Sequence, residues 1–371
     1  MLAGQILTLD DIDIKDKTVL LRVDINCPVE SETKRIKDDT RIKRSIKTIE
    51  ELNKKNAKLV ILAHQGDPLD YQNFCSLKEH GAILKKYFKD KFRYIEDVTG
   101  PYAIKSVKNL NSGEILLLDN VRIHTEETII FEKELKLTPA EQAETIVVRK
   151  LAPLADYYIC DAFACVHRSE PTLVGFPEFL PSAAGRLFEE ELNNLTQVRD
   201  EPERPCIFIL GGAKILDAFK MMAAVLKSRS ADKVLTTGLV AEIILKAKGY
   251  ELGIQSETFL RKKNLLEFVD TAIKINHEYS DRIIFPEDLG VNQNGHREEI
   301  SIENLPAEGI ISDIGKKSID TYTQIISQAK TIFMNGPAGI YENPLFALGT
   351  KSIWNEVANC QGFSVIGGGI Q

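Results

Sequence analysis

Two kinds of residue in this chain could do chemistry: glycine-rich turns, one of them carrying a lysine, and arginines and histidines that follow short apolar segments. The clearest turn is Gly211-Gly212-Ala213-Lys214, directly after the apolar run Cys206–Leu210. Glycines let backbone amides approach a ligand, a helix beginning there aims its N–H groups at an anion, and Lys214 adds a mobile positive charge. The pattern is typical of a phosphate site, but it also suits an ordinary strand-to-helix turn with a surface lysine.

Neither GxxxxGK[ST] nor GxGxxG after a strand occurs, so a nucleotide would need another glycine arrangement. Three glycine turns follow apolar runs in the second half of the chain, and they are 211–214, 335–339 and 367–369. Gly238 follows a further run, and Glu342 could accept hydrogen bonds from ribose hydroxyls, although a solvated loop acid is the more common role for such a residue. These turns indicate a nucleotide site in the second half.

The first half carries basic residues after its apolar runs, and they are Arg22, Arg122, Arg168, His64 and His167, while Arg41 lies within the first helical pattern. Any one of the arginines alone would be read as a surface charge. When such residues cluster without carboxylate partners, their like charges repel one another, so the cluster usually implies an anionic ligand. Asp24 and Asn26 would then bind hydroxyl groups.

Short β-branched apolar runs must position these residues. They span 18–21, 59–63, 115–118, 157–160, 206–210, 233–235, 282–285, 331–334 and 364–366, and the helical patterns between them include 40–54, 76–88, 139–151 and 217–227. This βα alternation predicts an α/β fold with parallel sheets, in which ligands bind outside the carboxyl ends of the strands. The contrast between the halves predicts two sheets with two ligands, a small dense anion on the first and a nucleotide on the second.

A proline- and glycine-rich stretch, 171–181, divides the two halves, and a helical pattern from Ser182 to about Arg199 ends before a second proline-rich stretch, 201–205. We therefore predict an N-terminal lobe at 1–181, a connecting hinge helix at 182–199 and a C-terminal lobe at 200–371. A surface excursion within one large sheet is the alternative.

Composition narrows the class of protein. The 371 residues carry a net charge of −7, so no overall field draws the chain to nucleic acid or an anionic membrane. A membrane-spanning helix is not expected, and we predict a cytoplasmic protein. Six cysteines without a CxxC pair favour reduced core thiols, and histidines without HxH or HExxH spacing argue against a protein-held metal.

Seven segments, in order, resemble the signature segments of the phosphoglycerate kinase family. They are Leu21-Arg22-Val23-Asp24-Ile25-Asn26-Cys27-Pro28, Ala63-His64-Gln65-Gly66, Leu118-Asp119-Asn120-Val121-Arg122-Ile123-His124, Asp161-Ala162-Phe163 with His167-Arg168, Leu210-Gly211-Gly212-Ala213-Lys214, Asn335-Gly336-Pro337 and Gly367-Gly368-Gly369. His64-Gln65-Gly66 and Ser182-Ala183-Ala184-Gly185-Arg186 look more like the archaeal branch. The resemblance covers essentially the whole chain.

The resemblance implies two Rossmann-like lobes, each a parallel sheet flanked by helices and joined by a hinge helix. It implies reversible phosphoryl transfer between 1,3-bisphosphoglycerate and ADP, giving 3-phosphoglycerate and ATP, as in glycolysis and gluconeogenesis. Mg²⁺ would come with the nucleotide, the two lobes would close about their hinge, and the chain would be a monomer or weak homodimer.

The resemblance also implies roles for individual residues, at the positions of this sequence that match the family's motifs. Arg41 and Lys214 would flank the phosphoryl group in transfer. The substrate residues would be Asp24, Asn26, His64, Gln65, Gly66, Asp67, Arg122 and Arg168. The nucleotide residues would be Gly211, Gly212, Lys214, Gly238, Asn335, Pro337, Glu342, Gly367, Gly368 and Gly369.

The chain departs from the family pattern at three places. Asp67 stands where the family usually has arginine, Ala218 stands where many members have a second lysine, and Ile370-Gln371 follow the last glycine turn. The last departure leads to the expectation that the C-terminal end of the family is missing. The alternatives to a working enzyme are a nucleotide-binding relative without turnover and, from Asp67, a kinase of another small acid.

Overall fold

The computed structural model describes residues 6–367. The chain forms two compact units that divide between Asn193 and Asn194, here called the N-terminal unit and the C-terminal unit. Each unit has its own parallel sheet with helices on both faces.

In the N-terminal unit the sheet is buried on both faces because successive residues of each strand are apolar. Val19 and Leu21 pack with helix residues such as Ile49, whereas Leu20 packs on the opposite face with residues such as Val107. The strands are Thr18–Arg22 (β1), Lys58–Leu62 (β2), Phe92–Tyr94 (β3), Ile115–Leu117 (β4), Tyr157–Cys160 (β5) and Ser182–Ala184 (β6). They lie in the order β3-β4-β2-β1-β5-β6, and all neighbours are parallel.

The α-helices that cover this sheet include the two that the periodicity predicts over 40–54 and 76–88. They are Thr40–Lys54 (α1), Lys78–Phe88 (α2), Pro101–Lys108 (α3), Ile129–Leu135 (α4), Pro139–Ala143 (α5), Ile146–Leu151 (α6) and Pro171–Val174 (α7). A further helix, Arg186–Asp200 (α8), runs through the division between the two units. The predicted helix over 139–151 is two short helices. The predicted hinge helix begins at Arg186 instead of Ser182, because Ser182–Ala184 pairs with β5 as an edge strand.

The C-terminal unit has a parallel sheet and a smaller antiparallel one. Its strands are Cys206–Leu210 (β7), Lys233–Thr236 (β8), Ile283–Ile284 (β9), Asp288–Gln293 (β10), His296–Ser301 (β11), Ile310–Ile314 (β12), Thr331–Asn335 (β13) and Phe363–Gly367 (β14). The parallel order is β14-β13-β7-β8-β9, and the antiparallel order is β11-β10-β12. Strand β7 lies at the centre, and all five of its residues are buried.

The α-helices of this unit are Ile215–Lys227 (α9), Gly238–Ala247 (α10), Ile254–Lys262 (α11), Val269–Tyr279 (α12), Lys316–Ser327 (α13) and Leu348–Asn359 (α14). Phe208 packs on the face covered by α9, α10 and α12, and Ile209 on the face covered by α13 and α14. As predicted, α9 begins just beyond the carboxyl end of β7, and α10 likewise begins just beyond β8.

Candidate functional site

Basic residues meet at the carboxyl edge of the N-terminal sheet, where β2, β1 and β5 are neighbours. Arg22 is the last residue of β1, and His64 follows β2 by two residues. Arg22 Nη2 lies 3.1 Å from His64 Nδ1, and both side chains are buried. The strand-end argument therefore places these residues correctly.

One carboxylate, Glu170, joins three of the arginines. Arg122 Nη2 donates to Glu170 Oε1 at 2.6 Å, and Arg22 Nη2 and Arg168 Nε each lie 3.9 Å from a Glu170 oxygen. The Glu170 side chain is 0% exposed. The prediction of positive charges without a carboxylate partner is therefore wrong. Within residues 6–367, Glu170 Oε2 and Arg122 Nε make no hydrogen bond.

A second buried carboxyl, Glu127, fixes Arg22 through a threonine. Glu127 accepts hydrogen bonds from Thr172 N at 2.6 Å and from Thr172 Oγ1 at 2.8 Å. Arg22 Nε in turn donates to Thr172 Oγ1 at 3.0 Å. Burial, and next the charge of Glu170, raises the pKa of Glu127 to about 8. Both causes favour the neutral form of the Glu127 carboxyl group.

Arg41, in the first turn of α1, pairs with the Asp24 carboxylate. Asp24 is nearly buried, whereas the Arg41 side chain is 49% exposed, so the arginine can be contacted from solvent. Asn26 N donates to Asp24 Oδ1 at 3.1 Å, and Asn26 Oδ1 accepts from Gly66 N at 3.0 Å. Gly66 has a φ of 63°, and a Cβ there would meet the backbone of Asn73. These contacts fix the loop that carries His64.

Gln65 and Asp67 stabilise their surroundings through hydrogen bonds. Gln65 Oε1 accepts from Cys27 N, and its Nε2 donates to Cys27 O, both at 2.9 Å. Asp67 Oδ1 accepts from Leu69 N at 3.1 Å, and its Oδ2 accepts from Ile129 N at 3.2 Å. Asp67 Oδ2 also lies 3.9 Å from Arg122 Nη1, so this carboxylate reduces the positive charge of the cluster.

The environment of His64 favours its neutral form. Burial first, and then the charges of Arg22 and the neighbouring arginines, lower its pKa well below the ordinary value. Asp24, His64 and Cys165 each offer one potential metal-ligand atom within 4.8 Å of the others. However, Asp24 is paired with Arg41, and burial raises the pKa of the Cys165 thiol to about 12. The positive surroundings fit an anion better than a cation.

The glycine turns of the C-terminal unit pack against one another. Gly211 N donates to Asn335 O at 2.8 Å, and Gly212 N donates to Pro337 O at 2.9 Å. Gly238 N donates to Ala338 O at 3.1 Å. A Cβ on Gly211 would overlap Pro337 O, so glycine is required for the close approach of two turns. The expectation that these glycine amides face a ligand is therefore corrected.

Lys214 lies at the N-terminus of α9, where it is exposed. Its side chain does not cap the helix. The first turn of an α-helix has N–H groups without intrahelical acceptors and carries a partial positive charge. Lys214 and this helix end stay the candidate for the anion site that the sequence predicts, on α9 rather than on the glycines.

A cavity of about 250 Å³ lies beside these turns. It is lined mainly by apolar residues of α10, β12 and the 337–342 loop, including Leu239, Ile311 and Ile340. Gly212, Gly238, Pro337 and Glu342, all predicted nucleotide residues, line it as well. Asn335 and Gly367 are paired at the ends of β13 and β14, and Gly368 and Gly369 lie outside the described residues.

Comparisons with known proteins show the family of this chain. A family model described as phosphoglycerate kinase matches residues 9–371. The chain belongs to the phosphoglycerate kinase family. It is 45% identical to the phosphoglycerate kinase of Methanothermus fervidus over 98% of this chain and 86% of that protein. It is 43% identical to the phosphoglycerate kinase of Sulfurisphaera tokodaii over 97% of this chain and 85% of that protein. The crystal structure from Pyrococcus horikoshii OT3 matches with a TM-score of 0.86 and 38% identity, over 98% of this chain and 88% of that one.

Members of the phosphoglycerate kinase family are phosphotransferases with a carboxyl acceptor, and they use ATP or ADP with Mg²⁺. The family model matches through residue 371, and the expectation that the family's C-terminal end is missing is not borne out. The comparisons give no support to the two alternatives, a relative without turnover and a kinase of another acid. Among residues 6–367, no helix is long and apolar enough to cross a membrane.

Glu127 and Glu170 are the residues of the basic cluster that sequence reasoning missed. Glu170 stands two positions after Arg168 in the sequence, and this closeness indicated that an acid could neutralise the arginines. Glu127 gave no comparable signal, because its burial depends on packing against Thr172.

Proposed function

We propose that this chain catalyses reversible phosphoryl transfer between 1,3-bisphosphoglycerate and ADP, with the glycerate ligand on the N-terminal unit and the magnesium nucleotide on the C-terminal unit. The observation that carries the proposal is the buried junction of Arg22, Arg122 and His64 at one sheet edge. The buried Arg122 guanidinium, whose Nε makes no hydrogen bond within residues 6–367, suits a phosphate or carboxylate ligand.

On the N-terminal unit, Arg122 and Arg168 bind the phosphate of the glycerate in this proposal. Arg122 is held by Gly66 O at 2.6 Å and by Glu170, so its guanidinium is oriented before the ligand arrives. Arg168 is 24% exposed and also pairs with Glu132 at 3.2 Å. Asp24, Asn26, His64, Gln65, Gly66 and Asp67 complete the loops around the ligand.

On the C-terminal unit, the nucleobase occupies the apolar cavity and the phosphates lie at the N-terminus of α9, next to Lys214. Gly211, Gly212, Gly238, Asn335, Pro337, Glu342 and the 367–369 turn form the surrounding backbone in this proposal. An apolar cleft with a few polar groups is the usual form of a nucleotide site.

The catalytic roles are electrostatic. Phosphoryl transfer needs in-line positioning and positive charge on the equatorial oxygens of the group in transfer, and little covalent chemistry from the protein. Arg41 and Lys214 supply that charge in our proposal, and both side chains are exposed enough to contact a ligand. Arg41 can exchange its Asp24 carboxylate for the phosphoryl group.

The test is ADP formation from magnesium ATP by the purified chain, with and without 3-phosphoglycerate, while a coupled dehydrogenase and NADH remove the acyl phosphate. We expect turnover that requires 3-phosphoglycerate and is absent with glycerate, which lacks the phosphate. Equal turnover with glycerate would contradict the assignment of the arginine cluster. A cytoplasmic location and a monomer or weak homodimer remain predictions.

A further inference from the structure

The apolar cavity of the C-terminal unit contains one buried acid for which the proposed chemistry has no use. Glu242 lies on α10 between Ala241 and Ile243, lines the cavity and is 4% exposed. Within residues 6–367 its carboxyl group has no hydrogen-bond or ion-pair partner, and burial alone raises its pKa to about 8. Leaving a buried polar group unpaired is costly, so this group points to a ligand with a complementary polar edge.

The other acids that line the cavity differ from Glu242. Asp313 is fully engaged: its Oδ2 accepts from Arg297 Nη1 at 2.8 Å and from Gly349 N at 2.9 Å, and its Oδ1 accepts from Ile314 N at 2.9 Å. Glu342 is exposed at the rim. Glu242 is therefore the buried acid available to a bound molecule in the part of the cavity that the structure describes.

The shape and lining of the cavity restrict the ligand. Its volume of about 250 Å³ is below the range of about 300–1,000 Å³ that is usual for drug-sized ligands, so it suits one flat ring system. Its walls are apolar side chains such as Leu239, Phe259 and Ile311. A purine with a polar edge fits both the apolar walls and the single carboxyl group.

We propose that Glu242 is a specificity-determining residue for the nucleotide, and that its carboxyl group accepts a hydrogen bond from the exocyclic amino group of the purine. The inference rests on the proposed function, which places the nucleobase in this cavity. A carboxyl oxygen accepts such a bond in either protonation state. The raised pKa allows Glu242 to remain neutral near pH 7 and also to donate to a neighbouring ring nitrogen.

The test compares the affinity of the full chain for ADP with that for purine riboside 5′-diphosphate, which lacks the amino group, by calorimetry in the presence of Mg²⁺. We expect the wild type to bind ADP about 10- to 100-fold more tightly, because the analogue lacks the amino-group donor to the buried carboxyl oxygen. Glu242→Gln keeps an oxygen acceptor and should retain the preference. Glu242→Leu should bind both ligands within about twofold of each other.

Glu342→Gln is the matched control, because this acid lines the same cavity but is exposed. It should change the affinity for both ligands by the same factor. A wild-type preference below about twofold, or a preference that survives in Glu242→Leu, would overturn the inference while leaving the nucleotide site in place. If neither ligand binds to the wild type, the nucleotide part of the proposed function fails as well. If Glu242→Leu does not fold, the wild-type ratio and Glu242→Gln still decide the question.

Discussion

Replacing Glu170 with glutamine should strengthen the binding of 3-phosphoglycerate and weaken the fold. Glu170 Oε1 accepts from Arg122 Nη2 at 2.6 Å, with both side chains at most 3% exposed, and Arg22 lies 3.9 Å away. Its charge opposes any anion that binds to the same arginines. At a separation of roughly 7 Å and an effective dielectric constant of about 20, that repulsion is about 2 kcal/mol, or about 30-fold in affinity.

The fold loses stability because a charge-assisted hydrogen bond becomes a neutral one. Bonds to charged groups contribute about 1.5–3 kcal/mol and neutral ones about 0.5–1.5, so Glu170→Gln should lower the free energy of unfolding by about 1–2 kcal/mol. Calorimetry would give the affinity for 3-phosphoglycerate, and urea denaturation would give the stability. The ligand should restore more stability to the variant than to the wild type.

Glu144→Gln is the matched control, since it removes the same charge from an exposed ion pair with Arg149. It should leave both quantities nearly unchanged, because exposed ion pairs contribute about 0–1 kcal/mol. An unchanged or weaker affinity in Glu170→Gln would refute the reasoning that this acid opposes the substrate anion.

Three further variants test other contacts. Asp67→Asn should tighten 3-phosphoglycerate binding by about 3- to 30-fold in calorimetry, because it removes a negative charge 3.9 Å from Arg122. Replacing Asp67 with arginine would be a less clean test, because it would also remove the hydrogen bonds that Asp67 accepts from Leu69 N and Ile129 N. His64→Asn should make the free energy of unfolding less sensitive to acid. The folded protein favours neutral His64, so below about pH 6.5 the unfolded chain binds a proton at this residue more readily than the folded protein does. The wild type therefore loses stability as the pH falls. The variant should avoid about 1 kcal/mol of that loss between pH 6 and pH 5 in urea denaturation. Gly211→Ala should destabilise the protein by about 1–3 kcal/mol, because its Cβ would overlap Pro337 O.

Each variant has an outcome that contradicts the contact on which it depends. Equal affinity of Asp67→Asn and wild type would mean that Asp67 exerts no effect on the ligand. Parallel pH profiles for His64→Asn and wild type would mean that His64 titrates normally in the folded protein. A Gly211→Ala variant with unchanged melting would mean that the turns at 211 and 337 can separate without cost.

Where local pattern determines structure, the sequence predicted it well. Helix α1 occupies Thr40–Lys54 as expected, because its buried residues Ile42, Ile49 and Leu52 repeat with helical spacing. Strand β7 was predicted from five consecutive apolar residues that end at Gly211. Residues at strand ends, such as Arg22 and His64, could be grouped because parallel strands end at one edge of a sheet.

The antiparallel sheet was missed because two of its three strands, β10 and β11, are not continuous apolar runs. Strand β11 reads His-Arg-Glu-Glu-Ile-Ser, and most of it is exposed or half-exposed. The signal was the Asn294-Gly295 pair, whose φ angles of 54° and 86° form the turn between β10 and β11. The helix predicted over 139–151 is interrupted between Ala143 and Ile146.

The charge balance of the site could not be predicted from strand ends. Glu170 lies on a loop before α7, and its role depends on folding back onto Arg122. Glu242 carried a visible signal, since a glutamate within the apolar run Leu239 to Leu245 must be buried with its neighbours. Its place in the cavity follows only from the packing of α10 beside β12.

The most direct test of the account is the coupled turnover assay on Lys214→Ala, with Lys220→Ala as the matched control on the same helix. Lys214 stands at the N-terminus of α9, and Lys220 is exposed further along it. If Lys214 stabilises the phosphoryl group in transfer, its loss should lower kcat by about 10²- to 10³-fold, while Lys220→Ala should match the wild type. Equal turnover of Lys214→Ala and Lys220→Ala would contradict the claim that α9 begins at the site of phosphoryl transfer.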